Sequence, residues 1–264
     1  NLNEADALWR ETGAASIKMF MCFSPVDFPF VQDDAMYGHL EILAQNNGLA
    51  MIHCGNEMLI NRMEGILKGQ GKRDGLAFNA SHPDYAEVEA VKRTIYFLEK
   101  TGARALVVHV STAEGLRLIK EAKERGVAVY AETCPHFLTF VDQDMKRHGP
   151  FLKFTPPMRG EENRRELWDL LATCYVDTMG SDHCPFTLEE KSQGINNIWE
   201  APNGIPGVQT MLPVLLDGVS QGRVSLEKVV EVTSYNPARL YGLYPQKGIL
   251  QPGADADLTV VDMD

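Results

Sequence analysis

An α/β barrel is the fold this sequence predicts, on three observations. Short apolar, strand-like runs alternate along the chain with helical stretches. Residues of metal-liganding type stand, in chain order, at the ends of four of these runs: Lys18, His53, His109 and Asp182. No Gly-x-Gly-x-x-Gly follows any of the strands, which disfavours the doubly wound alternative. The expectation is a (β/α)8 TIM-type barrel, incomplete at its N-terminus, with about five of the eight strands and a small C-terminal β segment.

The elements follow in order. The acidic opening, Asn1 to Asp6, is helix-like. Residues 14–22 read as the first strand, and Asp33-Asp34 caps a helix over 35–47 that Gly48 stops. Strand 49–54 leads into a polar stretch rich in Gly, Asn and Ser, then a helix over 84–100 ended by Gly102. Strand 104–110, helix 112–125 and strand 127–132 come next. A helix over 161–171 precedes the last strand, 174–180, and helices near 207–220 and 225–235 complete the layer. Continuous apolar strands of this kind belong to a parallel sheet covered on both faces. The tail, Gly248 to Asp262, reads as two strand-like pieces around a Pro-Gly turn. The expected division is therefore 1–242 as a partial barrel and 243–264 as strands of a small β-sandwich module.

Composition narrows the function. With 264 residues, 44% of them hydrophobic and 23% charged, the chain has the make-up of a globular domain with a substantial core. A net charge of −11 argues against a nucleic-acid partner. No apolar run approaches the roughly 20 residues that span a bilayer, so no membrane partner is expected. The cysteines at 22, 54, 134, 174 and 184 show no paired spacing, which fits reduced thiols and a cytoplasmic location. The chain does not start with methionine, and the expectation is a piece of a longer polypeptide.

Each candidate has a plainer reading when taken singly. A lysine after an apolar run is usually a solvated strand end, a strand histidine a hydrogen-bonded core residue, and an aspartate such as Asp182 a loop cap. The four lie 35, 56 and 73 residues apart, one to two βα units each, as neighbouring barrel strands require. Such residues would emerge at the same C-terminal rim. His183 would point away from Asp182 on a strand and reads as a supporting residue; His136, after Pro135 in a loop, reads as structural. His39, His82 and His148 read as surface residues, and Cys54 and Cys184 as packing.

With these segments the chain resembles the cyclic amidohydrolases: dihydropyrimidinases or hydantoinases, allantoinases and dihydroorotases. The resemblance runs over essentially the whole chain. It includes Glu132-Thr133-Cys134-Pro135-His136-Phe137, Thr155-Pro156-Pro157-Met158-Arg159, Pro202-Asn203-Gly204-Ile205-Pro206-Gly207, Asn236-Pro237-Ala238-Arg239 and the Gly-Ala-Asp-Ala-Asp-Leu tail. It implies two divalent metal ions, usually zinc, at the barrel rim. By position, Lys18 resembles the lysine that CO2 carboxylates and that then bridges both ions. An ordinary lysine, with a pKa of about 10.4, is a cation and repels metal; the carbamate is an anionic oxygen ligand. His53 and His109 resemble the two imidazole ligands of one ion. Asp182 resembles the carboxylate that binds the other ion and acts catalytically as the proton carrier. The resemblance also implies substrate contacts at Asn203 and Thr155, largely through backbone groups that suit a cyclic amide or ureide. It implies a homo-oligomer, tetramer or dimer.

Two departures qualify the resemblance. The family's His-x-His pair is absent from these 264 residues, which would place it and three further strands before residue 1. Hydantoinases also carry a tyrosine five residues after the lysine, as an oxyanion donor; here that position is Phe23, which has no donor. Ser24 is a candidate replacement. The run Lys18 to Ser24 with Val31-Gln32-Asp33-Asp34, and Gly207 to Pro213, look more like allantoinases. The expected activity is ring-opening hydrolysis of a cyclic amide, allantoinase-like, with dihydroorotase and dihydropyrimidinase as alternatives. A rival of another class is the non-catalytic scaffold related to dihydropyrimidinase, which would need none of the four ligand candidates.

Overall fold

Five short strands pair in chain order to form the frame of the molecule. In the computed structural model, which describes residues 2–23 and 29–263, they are β1 (Ile17–Phe20), β2 (Leu49–His53), β3 (Arg104–Val107), β4 (Val129–Thr133) and β5 (Thr178–Met179). All neighbours are parallel, and the order is β1-β2-β3-β4-β5. A doubly wound sheet reverses its strand order at a switch point; this sheet never does. The arrangement is an arc of a (β/α)8 barrel. Among the described residues the outer edges of β1 and β5 carry no strand partner. The first and last strands are shorter than the expected 14–22 and 174–180, since each is paired on one side only.

Helices fill every crossover. Asp33–Gln45 joins β1 to β2, Asp84–Thr101 precedes β3, Ala113–Glu124 joins β3 to β4, and Glu161–Ala172 precedes β5. Gly102 ends the second of these in the left-handed region (φ 71°), a conformation that disfavours a side chain. Thr112 caps the third by accepting from the Gly115 N–H. The polar stretch after β2 is not loop but two helices, Glu57–Gly69 and Gly75–Ser81. Their N-caps, Asn56 and Asp74, accept from Leu59 N–H and Ala77 N–H.

Alternation along the strands separates two faces. Met19, Ala50, Ile52, Ala105, Val107, Val129 and Ala131 pack with Leu40, Leu43, Val91, Leu98, Leu116 and Ile119 of the covering helices. Burial of each such large side chain contributes about 1.5–3 kcal/mol. The intervening residues face the other way. Register aligns Lys18 with Met51, Met51 with Leu106, and Leu106 with Tyr130. Leu49, Met51, Leu106, Val108 and Tyr130 form an inner cluster closed by Leu240 and Tyr241. The next inner layer, nearer the strand ends, pairs Phe20 with His53 and Glu132 with Thr178.

The tail expected to supply two strands has no assigned secondary structure and no ladder pairing over 255–263 among the described residues. A segment becomes a strand only when a neighbour takes its N–H and C=O groups. Here Asp255 N–H donates to Gln246 C=O, and Lys247 bonds Asp255 and Asp257. Leu250, Leu258 and Val260 stay exposed.

Candidate metal centre

Strand parity brings Lys18 and His53 to the inner face without special geometry. His109 needs more. It lies two residues after Val107, which faces the helices, so a regular strand would turn its ring outward. Instead its φ is +41°, and the reversed backbone swings the ring towards His53. For a residue with a side chain that conformation costs roughly 1–2 kcal/mol. The Glu132 carboxylate lies beside the His109 backbone N–H and 3.4 Å from the Thr178 hydroxyl, and Val110 N–H donates to the Glu132 carbonyl at 2.7 Å. Asp182, after β5, also has φ +41°.

His53 Nδ1 and His109 Nε2 face each other at 2.9 Å. Both rings are buried. Burial first, then the Lys18 charge, presses the His53 pKa down to about 3. Burial, His53 and Lys18 likewise hold His109 well below its ordinary value. Both imidazoles are neutral near pH 7 and available as nitrogen ligands. The Lys18 amine keeps accessible surface on the inner side of the arc, yet protein encloses most of its surroundings. That desolvation lowers its pKa, opposed by the charges of Asp182 and Glu132. Desolvation raises Asp182, opposed by Lys18, and lifts Glu132 to about 7. Lys18, His53, His109, Glu132 and Asp182 thus share one electrostatic neighbourhood.

The donor set fits a divalent cation in part. Two nitrogens 2.9 Å apart are compatible with joint ligation at roughly 2.0–2.1 Å. His109 Nδ1 is buried and without a partner. Among the described residues, however, no group of three His, Cys, Asp or Glu side chains stands at metal-holding spacing. The two imidazoles are the preformed part; Asp182 and a carboxylated Lys18 would complete the oxygen side.

The expected substrate contacts fare differently. Thr155 lines a small cavity with His53, Cys54, Gly55, His82 and Arg159, and its hydroxyl is buried and unpartnered. Asn203 does not line this cavity. It is exposed, and its carbonyl accepts from the Cys184 thiol at 3.8 Å. Ser24 lies outside the described residues.

The remaining histidines are informative. His183 accepts the Gly207 and Val208 N–H groups on Nδ1, at 3.0 and 3.4 Å, and so ties the following loop to the Asp182 corner. His136 is buried between Phe137 and Phe154, with neither ring nitrogen partnered. His82, expected at the surface, is buried, its Nδ1 2.8 Å from Ser81 Oγ, because the unforeseen helix Gly75–Ser81 folds it inward. Glu132 is the residue that reading for metal ligands passed over. The signal for it was an acidic side chain at the end of an otherwise apolar strand.

The parallel barrel arc thus gathers two imidazoles and the carboxylates of Glu132 and Asp182 at its strand ends. Residues 10–264 match the Amidohydrolase family. The L-hydantoinase of Paenarthrobacter aurescens is 38% identical over 256 residues, covering 96% of this chain and 56% of that protein. The allantoinase of Deinococcus radiodurans is 37% identical over 264 residues, covering 99% and 58%. Among solved structures, the L-hydantoinase (dihydropyrimidinase) from Arthrobacter aurescens superposes with a TM-score of 0.94 at 37% identity, covering 97% of this chain and 57% of that one. The chain belongs to the amidohydrolase family. It spans a little over half the length of these relatives.

Proposed function

We propose that this chain carries ligand positions and substrate-facing loops of an enzyme that opens a cyclic amide by hydrolysis, allantoinase-like in its substrate. The observation that carries the reading is the facing pair His53 Nδ1 and His109 Nε2, on adjacent strand ends beside Lys18. His53 and His109 would hold one divalent ion, Asp182 the other, and a carboxylated Lys18 both. When bound, such ions would polarise a ring carbonyl and make a water acidic enough to react near neutrality. Desolvation lowers the pKa of Lys18, the direction that a reaction of its amine with CO2 requires. Asp182 takes a proton from the attacking water and returns it to the ring nitrogen as the C–N bond breaks, leaving an open-chain carboxylate. Thr155 and the backbone at Asn203 orient the ring amide.

Phe23 supports the allantoinase-like reading as a departure from the hydantoinase pattern, since it stands where hydantoinases carry a tyrosine donor and has none itself. A hydantoinase is the second reading, supported by the 38% identity to an L-hydantoinase. Allantoin is itself a substituted hydantoin, so the two readings share a ring. The five free cysteines favour a reducing, cytoplasmic setting, and we assign the working form to a homo-oligomer. Residues 243–264, with exposed Leu250, Leu258 and Val260, are assigned to a small β module. Among the described residues no helix is long and apolar enough to cross a membrane.

Turnover of the complete, metal-loaded polypeptide on allantoin, hydantoin, dihydrouracil and dihydroorotate tests the reading. Allantoin is expected to open fastest. Opening of another ring while allantoin is inert would reject the allantoinase assignment. Inertness toward all four, with less than about one zinc per chain, would favour the scaffold.

A further inference from the structure

Lys191 takes no part in the chemistry above, yet it is a buried cation with an unusual set of partners. It lies on the short helix Leu188–Ser192, whose start is fixed by a capping box between Thr187 and Glu190. Its ammonium donates to three backbone carbonyls: Lys153 at 3.0 Å, Pro202 at 2.9 Å and Gly204 at 2.8 Å. An ammonium has three N–H groups, so its donor capacity is filled. Among the described residues it forms no ion pair; the three carbonyl dipoles, with the Phe186 ring face 5.9 Å away, offset its loss of water.

Two of those carbonyls flank Asn203. The segment is fastened at further points. Lys153 Nζ donates to the Ala201 carbonyl at 2.6 Å, and Gly204 N–H donates to the Lys153 carbonyl at 3.1 Å. Cys184 N–H donates to the Ile205 carbonyl at 3.1 Å, which ties the loop to the chain just beyond Asp182. Gly204 adopts φ +152°, and a Cβ there would come within 2.4 Å of the Cys184 carbonyl. Every neighbour of Asn203 is thus anchored while Asn203 stays exposed. A surface loop with no positional duty would leave its carbonyls to water. Burying a charge beneath it is costly and stabilises little by itself.

We infer that Lys191 is a positioning residue: it clamps the carbonyls on both sides of Asn203 and so presents the Asn203 backbone to the ring amide of the substrate. This rests on the proposed cyclic-amide hydrolysis and on the substrate role of Asn203. Loss of the clamp should loosen substrate binding while leaving the ligand residues, on other elements, in place.

The test compares wild type with Lys191→Met in the complete, metal-loaded polypeptide, with allantoin and hydantoin as probes. Three quantities are read: KM and kcat, zinc content, and amide exchange across residues 200–206. The expected result is KM raised about tenfold with kcat changed less than about threefold, zinc content unchanged and exchange accelerated. An unchanged KM overturns the inference. So does a fall in kcat that tracks loss of zinc, since that marks a general structural role. Should neither ring be opened by wild type, the functional reading has failed on its own, and exchange decides the clamp: acceleration confined to 200–206 upholds it, no acceleration rejects it. Should the methionine variant not fold, Lys191→Arg decides. A planar guanidinium cannot converge three donors from one point, so KM rises if the clamp matters and stays constant if it does not.

Discussion

Gly180 lies against the carboxylate of Glu132 so closely that a Cβ on it would stand 2.5 Å from Glu132 Cδ and 2.7 and 2.9 Å from the two oxygens. The missing side chain on β5's continuation is what leaves room for the carboxylate beside the His109 backbone N–H. Gly180→Ala should therefore displace Glu132 and release His109 from its reversed conformation. The expected outcome is zinc affinity lowered on the order of ten- to hundredfold, as for loss of groups that orient metal ligands. Zinc titration of the apo protein checks this, with circular dichroism as the control for folding. Unaltered affinity in a folded variant would reject the link.

Lys18→Ala is expected to abolish ring opening, since alanine cannot form the carbamate. Added short carboxylic acids should restore part of the rate by standing in for it. A variant that is active and metal-loaded without such additives would remove Lys18 from the bridging role.

His136 sets a pH dependence of stability. Burial depresses its folded pKa to about 3, against an ordinary value of 6.5. Above pH 6.5 it is neutral folded or unfolded and costs nothing. As pH falls below 6.5 the unfolded chain gains a proton that the folded chain refuses, so stability declines through the window from 6.5 towards 3. By linkage the loss is on the order of 3 kcal/mol at pH 4. His82, held down to about 4 by burial, acts in the same direction. His136→Phe fills the same space between Phe137 and Phe154 without orphaned nitrogens. Urea unfolding at pH 7 and pH 4 should show a variant no less stable at the higher pH and clearly more stable at the lower. Equal acid sensitivity in both proteins would refute the assignment.

Arg159 joins three segments: Nε donates to Ser111 Oγ at 2.9 Å, one terminal nitrogen reaches the His82 carbonyl and Asp84, and the other lies 3.7 Å from Glu87. Glu87 is buried, and accepts from the backbone N–H and hydroxyl of Ser111 and Thr112. Arg159→Met keeps most of the side-chain bulk but leaves Glu87 without its cation, at a cost of about 3 kcal/mol or more. Because Ser111 follows His109 closely, the variant should also lose zinc at a lower chelator concentration. A change in stability below about 0.5 kcal/mol would mean the pair is not needed.

Much of this was legible in the residues themselves. Lys18 and His53 were legible as liganding residues at the ends of apolar runs, which points to the rim, but continuous apolar strands carry no alternation, so their inner face had to come from the register. Local pattern also marked Gly102 as a helix stop. His109 was legible as a strand-end histidine but not as a ring turned back against its strand's parity, because no residue type marks a positive φ at a non-glycine position. Glu132 itself owes its role to a contact across strands, with Gly180 making the space. The helices Glu57–Gly69 and Gly75–Ser81 were obscured by their glycines and asparagines, although Asn56 and Asp74 were caps in plain view. Lys191 carried no signal, since its main-chain acceptors have no letter in a sequence, and Arg159 stood in a quoted segment with nothing local to name its distant partners Ser111 and Glu87.

The inner placement of Lys18 depends on its standing exactly one residue from helix-facing neighbours on either side, Ile17 and Met19. Deleting a single residue between 13 and 16 and re-pairing β1 with β2 one step out of phase would drive the amine into the oily layer against Leu40 and Leu43, and bring a thioether or an isoleucine to the rim instead. Chemistry at this centre is therefore protected by the same pairing that holds the sheet together, and misalignment would be punished first as a folding defect.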